Sequence, residues 1–189
     1  EGSLLLWLVV LTLFIFLFLI RSKGLLKKYR ILTVLFQQII IIGFFIFLIK
    51  SSSPFNYVFP APDEGLGLNP ILQDPALAIH PPILYLGYVG SSIIFSSVLA
   101  ATTLNYVKKK WATHIKKWVL ISWIFLTLGI LLGSIWAYYE LGWGGFWFWD
   151  PVENVSLMPW LALTALLHCI IVLEKKPILS SWVIILSIA

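Results

Sequence analysis

The sequence has 189 residues, of which 60% are hydrophobic and only 11% are charged, with a mean hydropathy of +0.98. Soluble domains carry about 25% charged residues, so this composition excludes an ordinary soluble protein and indicates a membrane protein. The net charge of +5 does not indicate nucleic-acid binding, because the basic residues share no face with exposed aromatic residues. The single cysteine, Cys169, excludes an internal disulfide and any CxxC or CxxCH motif.

Apolar runs long enough to cross a bilayer predict the fold. A hydrocarbon core about 30 Å thick needs about 20 apolar residues in a helix. Such runs cover residues 3–20, 31–49, 81–104, 118–139 and 155–173, and part of another starts at 178. No barrel-like alternation is visible, so the sequence predicts an all-α, polytopic transmembrane helix bundle of about six spans. We interpret residues 1–189 as one transmembrane domain that is a fragment or a split subunit.

The charge of the connecting loops alternates and predicts their orientation. The basic loops contain Arg21, Lys23, Lys27, Lys28, Arg30, Lys108, Lys109, Lys110, Lys116, Lys117, Lys175 and Lys176. The acidic loops contain Asp63, Glu64, Asp74, Glu140, Asp150 and Glu153. Because short basic loops stay on the side of synthesis, the N-terminus is predicted to lie outside. A proline-rich loop, 51–80, and a tryptophan-rich loop, 140–154, then lie on the outer side.

Polar residues and glycines within the apolar runs predict helix contacts. Gln37 and Gln38 suit interhelical hydrogen bonds, with a quinone contact as the alternative. Gly129 and Gly133 have the GxxxG spacing that lets two helices approach closely. His114, in a basic segment, is interpreted as a solvated loop histidine.

His80 is the first candidate site residue along the chain, in the stretch QDPALAIHPPILYLGYVG. Pro81 and Pro82 suit a first helical turn, so we expect His80 just before the third span, at the outer surface. The positive end of a helix disfavours protonation, and metals bind the neutral imidazole. His80 is therefore either a metal ligand or a local cap or loop contact.

The tryptophan-rich loop contains the stretch WGGFWFWDPVENVSLMPW. Glycines permit tight turns, and Asp150 is expected to end the loop and start the next helix, where Glu153 and Asn154 can cap. A dense shelf of rings suits a large flat ligand, whereas the alternative is an aromatic belt or packing. Haem is the flat ligand most often paired with histidine.

His168, past the middle of its span, is a second candidate ligand, with a hydrogen bond to another helix as the alternative. Thr164, one turn away, can orient it.

Three long motifs, in this order, resemble one known family. They are LNPILQDPALAIHPPILYLGYVG, WIFLTLGILLGSIWAYYELGWGG and WGGFWFWDPVENVSLMPWLALTALLH. They are similar to the CcmF form of the tryptophan-rich haem-handling proteins, the membrane subunit of cytochrome c haem lyase. The likeness runs from about Asn69 to Cys169. It implies covalent attachment of haem to the CxxCH cysteines of apocytochrome c.

The resemblance also implies site residues, cofactors and partners. His80 would ligate the iron of the incoming haem, which is the substrate, and His168 would be an axial ligand of a resident haem b. Trp143, Trp147, Trp149 and Asp150 would form the platform for the incoming haem. The second axial ligands belong to segments that this chain lacks. The implied partners are the other lyase subunits, including the rest of a CcmF-type protein, the haem chaperone CcmE, apocytochrome c and membrane lipid, but no nucleic acid.

Two other functions remain open. A CcmC-type haem transporter or loader shares the tryptophan-rich loop but not the HPP and DPVEN context, and a structural membrane subunit would retain the fold without catalysis. The abundance of Ile, Phe, Leu and Lys suggests an organellar genome, so we expect the mitochondrial inner membrane, with a bacterial plasma membrane as the alternative. The aromatic loop would face the intermembrane space or periplasm.

Overall fold

Helices form all the regular structure in the part of the chain that the computed structural model describes, residues 2–51, 53–57, 59–65, 67–142 and 144–188. The predicted all-α fold is therefore confirmed. The helices are α1 (Gly2–Arg21), α2 (Lys27–Ser51), α3 (Pro75–Tyr88), α4 (Ser91–Thr103), α5 (Lys109–Glu140), α6 (Pro151–Lys175) and α7 (Ser180–Ile188). A short 3₁₀ helix, Pro70–Gln73, precedes α3.

Five helical segments among the described residues are long and apolar enough to cross a membrane. They are Gly2–Arg21, Lys27–Ser51, Pro75–Thr103, Lys109–Glu140 and Pro151–Lys175. They correspond to the first five predicted spans, and α7 lies where the sixth is predicted to begin. The third segment is formed by α3 and α4 together, with a break between them.

Helix α3 begins earlier than the sequence predicts. Asp74 is its N-cap, because Oδ1 accepts the backbone N–H groups of Ala76 and Leu77 at 2.7 and 3.3 Å. A capping carboxylate followed directly by proline is a stronger start signal than Pro81–Pro82 alone. The predicted outer loop 51–80 is therefore too long, since residues 75–80 are helical.

Close packing of α3 against α5 determines how the site is built. Helix α5 packs against α3, α4 and α6. A Cβ added to Gly87 would lie 2.4 Å from the backbone N of Leu126, and one added to Gly129 would lie 2.6 Å from Cα of Leu84. Only a hydrogen atom fits at these positions, so the predicted close approach is confirmed. Side chains of α3 are consequently pressed onto the backbone of α5.

A buried amide links α2 to α4. The Nε2 of Gln37 donates to Oγ of Ser92 at 2.6 Å, and Oγ of Ser96 donates to Oε1 of Gln37 at 2.7 Å. Gln37 is fully buried, whereas Gln38 is exposed. The predicted interhelical hydrogen bonding is therefore confirmed for Gln37.

We expect Gln37→Leu to destabilise the bundle by about 1 kcal/mol, because two interhelical hydrogen bonds worth about 0.6 kcal/mol each are lost within membrane-spanning segments. The thermal midpoint in detergent, followed by circular dichroism, measures this loss. Gln38→Leu is the matched control, since its side chain is exposed. Equal midpoints for the two variants would contradict a stabilising role for the buried amide.

Candidate functional site: a histidine beside the tryptophan-rich loop

His80 lies within α3 and is half-buried against α5. Its Nδ1 lies 2.7 Å from the carbonyl oxygen of Gly129. A carbonyl can only accept, so Nδ1 carries the hydrogen and Nε2 retains the lone pair. The ring lies over Gly133, where an added Cβ would come within 2.6 Å of Cε1. His80 is therefore held in one position, with Nε2 left to bind a metal.

This placement corrects the prediction that His80 stands just before the span as a surface residue. Because Asp74 caps α3, His80 lies in the second turn of the helix, and Pro81 and Pro82 lie inside it. The effect of the helix N-terminus fades after the first turn. A hydrogen bond to another helix, rather than the helix dipole, selects the tautomer. The alternative of a local cap is wrong, because the partner, Gly129, belongs to α5.

A cavity of about 280 Å³ joins His80 to the tryptophan-rich loop. It lies between α3, the end of α5 and the start of α6. Its lining includes His80, Trp136, Trp147, Asp150 and Glu153. Three of the sequence-predicted site residues, His80, Trp147 and Asp150, are thus brought together from segments far apart in the chain.

The remaining predicted platform residues are placed differently. Trp149 does not line the cavity; its side chain is 68% exposed and meets Trp147 edge-on, with ring centroids 5.8 Å apart. Its backbone φ of 57° is left-handed, which costs a bulky residue about 1–3 kcal/mol and is typical of functional sites. Phe146 is 64% exposed. Trp143 lies outside the described residues.

Hydrogen bonds at the start of α6 hold the loop. Oδ1 of Asp150 accepts the N–H of Glu153 at 2.7 Å, and Oε2 of Glu153 accepts the N–H groups of Phe148 and Asp150 at 2.7 and 3.4 Å. This is a capping box. Nδ2 of Asn154 donates to the carbonyl of Trp149 at 2.9 Å. The predicted capping by these residues is confirmed, and Asp150 supports the loop through its backbone contacts.

Trp136 is a cavity residue that the sequence reasoning did not single out. The indole N–H groups of Trp136 and Trp147 are both buried and have no acceptor among the described residues. A buried unpaired donor costs about 1–3 kcal/mol, so an acceptor on a ligand would stabilise the site. Its spacing is the sequence feature that identifies it, because Trp136 follows Gly133 by three residues and therefore lies on the same face of the helix.

The N-cap of α3 also connects the two outer helix ends. Tyr139, in the last turn of α5, donates its hydroxyl hydrogen to Oδ1 of Asp74 at 2.7 Å. This hydrogen bond lowers the pKa of the Asp74 carboxyl below its ordinary value. The ionised carboxylate therefore accepts from both the helix amides and the phenol, which ties α3 to α5 beside the cavity.

His168 lies in α6, far from this cavity. Its Nδ1 lies 2.8 Å from the carbonyl oxygen of Thr164, so Nδ1 donates and Nε2 keeps the lone pair. Trp123 of α5 contacts Thr164. Ten residues of helix, about 15 Å, separate Trp123 from Gly133, and His168 lies one turn, about 6 Å, beyond Thr164, so the two histidines are about 20 Å apart in depth. The side chain of His168 is exposed on this chain. The alternative of a bond to another helix is wrong, because its partner belongs to α6.

His114 is not a solvated loop residue, because α5 begins at Lys109 and includes it. Its Nε2 accepts the indole N–H of Trp118 at 3.3 Å, and its ring meets Phe18 edge-on at 5.7 Å. The nitrogen that remains available in His80 and His168 is thus already used in His114.

Among the described residues, no three His, Cys, Asp or Glu side chains are grouped to hold a metal. A larger cavity of about 640 Å³, lined mainly by apolar residues of α1, α2, α4, α6 and α7, contains none of the predicted site residues.

Comparisons with known proteins agree with the family resemblance of the sequence motifs. A family model described as cytochrome C assembly protein matches residues 1–189. The chain is 53% identical over 188 residues to the cytochrome c-type biogenesis protein CycK of Bradyrhizobium diazoefficiens and 45% identical over 190 residues to CcmF of Escherichia coli. A solved structure titled cytochrome c heme lyase CcmF superposes with a TM-score of 0.82 at 34% identity. The predicted resemblance to CcmF-type proteins is confirmed.

The extent of these matches is asymmetric. They cover 100% of this chain, but only 28% of CycK, 29% of CcmF and 30% of the solved chain. The chain thus spans less than a third of the length of the relatives that it matches.

Proposed function

Because the chain belongs to the cytochrome c assembly protein family, we propose that it forms the haem-receiving part of a cytochrome c haem lyase. The observation that carries this proposal is the shared cavity of His80 and Trp147. A metal-binding nitrogen and an aromatic surface at one cavity suit a flat molecule with a central metal.

The incoming haem is the substrate, and the residues of this site fit one edge of it. Small-molecule pockets measure about 300–1,000 Å³, so a cavity of about 280 Å³ encloses only part of a macrocycle. Nε2 of His80 binds the iron, while Trp147 and the exposed rings of Phe146 and Trp149 hold the plane by stacking. The buried N–H groups of Trp136 and Trp147 suit the carboxylates of the substrate. The rest of the enclosure comes from outside this chain.

His168 is the residue of this chain that would hold a resident haem b, through its Nε2. Its Nδ1–H donates to a carbonyl, as in most metal-binding histidines, and its exposed side chain is open to a second ligand from another segment. A haem held there would supply an electron for reduction of the substrate iron. Helix α6 carries both His168 and, at its N-cap, the loop that receives the substrate.

Attachment forms two thioether bonds, and this chain contributes positioning to that reaction. Each thiol of the apocytochrome CxxCH motif adds across a haem vinyl group, with sulfur bonding to one vinyl carbon and hydrogen to the other. The reaction therefore needs no net oxidant, and holding the vinyl edges still supplies much of the rate. The proposed partners are apocytochrome c, CcmE as haem donor, the remaining lyase subunits and membrane lipid.

The chain is a membrane protein, and its compartment is a proposal. The relatives named above are bacterial, which suits a plasma membrane with the aromatic loop facing the periplasm. The mitochondrial inner membrane stays a prediction from composition. Both compartments place the cavity on the side where cytochromes c mature.

We expect His80→Ala, in the complete protein within its complex, to lower covalent haem attachment to apocytochrome c at least about tenfold. Haem staining of denatured cytochrome c measures the attachment. His114→Ala is the control, since Nε2 of His114 already accepts the indole N–H of Trp118 and is not available to bind iron. Unchanged attachment in His80→Ala would exclude the proposed site. Haem transfer without any thioether formation by the unsubstituted complex would instead indicate a CcmC-type loader.

A further inference from the structure

Two tryptophans and two threonines form a closed pair of hydrogen bonds between α5 and α6, which we call the indole–hydroxyl latch. The indole N–H of Trp123 donates to Oγ1 of Thr164 at 2.8 Å, and that of Trp160 donates to Oγ1 of Thr127 at 2.8 Å. Each threonine hydroxyl then donates to the carbonyl of the tryptophan on its own helix, at 2.7 Å in both cases. All four side-chain polar groups are therefore satisfied.

The latch is symmetric in both sequence and geometry. Each helix contributes a tryptophan and a threonine four residues later, and each tryptophan reaches across to the other helix. The rings of Trp123 and Trp160 stack with centroids 6.0 Å apart at 25°. A contact of this kind specifies one rotation and one depth of α6 against α5, because a shift by one residue turns a helical side chain by about 100°.

Ordinary intrahelical threonine bonds do not account for this arrangement. Among the described residues, Thr12, Thr33 and Thr103 also donate to the carbonyl four residues earlier, but no indole N–H donates to their hydroxyls. In the part of the chain that the structure describes, only Thr127 and Thr164, at the α5–α6 contact, accept such a donor. The two indole–hydroxyl hydrogen bonds of the latch are therefore specific contacts between α5 and α6, and they do not follow from helix geometry alone.

His168 is connected directly to the latch. It lies one turn after Thr164, and its Nδ1–H donates to the carbonyl of that residue at 2.8 Å. The histidine makes this bond within its own helix, so the direction of its Nε2 depends on how α6 is rotated. The rotation is in turn specified by Trp123 and Thr127 of α5.

We propose that the indole–hydroxyl latch positions the intramembrane histidine, so that Trp123, Thr127, Trp160 and Thr164 set the geometry of axial ligation at His168. This inference rests on the proposed function, in which His168 binds a resident haem b. The four side chains are positioning residues, because they act through α6 rather than on iron. Their removal is expected to alter the haem environment before it abolishes haem binding.

The test uses Thr164→Val and Thr127→Val in the complete protein, with haem observed by electron paramagnetic resonance and redox titration. We expect both variants to retain haem, to shift and broaden the low-spin signal, and to change the ratio of reduced to oxidised haem about tenfold at fixed potential, or about 59 mV for one electron. Thr164→Ser restores the hydroxyl and should restore the signal. Thr12→Val, which breaks only an intrahelical bond, should leave it unchanged.

A second readout does not require haem. Ultraviolet resonance Raman spectra of haem-free protein report indole hydrogen bonding directly. The Trp123→Phe variant retains an aromatic ring at this position but removes the N–H donor. Loss of one hydrogen-bonded indole band in Thr164→Val, but not in Thr12→Val, is expected. Latch variants with unchanged haem signals and potentials would overturn the positioning role. Retention of the same haem signal in His168→Ala would instead overturn the proposed function.

Discussion

Gly133→Ala is expected to lower covalent haem attachment strongly while leaving the proposed resident haem at His168 in place. A Cβ at this position would lie 2.6 Å from Cε1 of His80 and 3.0 Å from both ring nitrogens. Real Cβ contacts essentially never come that close, so the imidazole must move away from Gly133 and lose its hydrogen bond to the carbonyl of Gly129. Covalent haem on apocytochrome c should fall at least about tenfold, as for His80→Ala.

The Gly133→Ala experiment has an internal and an external control. The pyridine haemochrome signal of the purified complex reports the proposed resident haem. His168 lies about 20 Å from His80 along the helices, so this signal should be retained. Gly43→Ala in α2 is the matched substitution, because an added Cβ there meets no atom within 4 Å. Wild-type cytochrome c maturation in Gly133→Ala would mean that the position of the His80 imidazole against α5 has no part in the reaction.

His168→Ala is expected to remove the resident haem without unfolding the protein. The imidazole is exposed on this chain, and among the described residues it bonds only to the carbonyl of Thr164, which keeps its helical position when the ring is absent. The haemochrome signal should fall to the background, and attachment should be restored in part by a chemical reductant that replaces the lost electron donor.

Leu161→Ala is a suitable comparison for His168→Ala. Leu161 also belongs to α6 and is 54% exposed, so its truncation changes an exposed surface of the helix without removing a nitrogen ligand. Haem content should stay at the wild-type level in Leu161→Ala. Full haem content in both variants would place the resident haem on other ligands.

Sequence reasoning succeeded where a local pattern corresponds to one physical cause. Apolar runs of bilayer length predicted the spans, because a helix is the simplest way to satisfy backbone groups in lipid. The capping of α6 by Asp150 and Glu153 was readable because its atoms lie within four residues. Helix α3 begins six residues before Pro81, because Asp74, a carboxylate directly before a proline, caps it.

The relation between distant residues was decided by tertiary structure alone. His80, Trp136 and Trp147 line one cavity although more than fifty residues separate the first from the second. The tautomer of His80 depends on a carbonyl of another helix, Gly129, and no local pattern encodes that partner. Likewise Gly133 reads in sequence as a packing glycine, and only the packing of α3 onto α5 places it beneath the imidazole.

The sequence by itself therefore determined a helical membrane protein and its spans, and it predicted a short set of residues for binding a flat iron-containing ligand. Tertiary structure decided which of those residues meet, how the histidine rings are aimed and that the latch connects α5 to α6 above His168. The physical reason is range. Helix formation and capping act over about four residues, whereas ring orientation depends on side-chain contacts between helices, which exist only after the helices have packed.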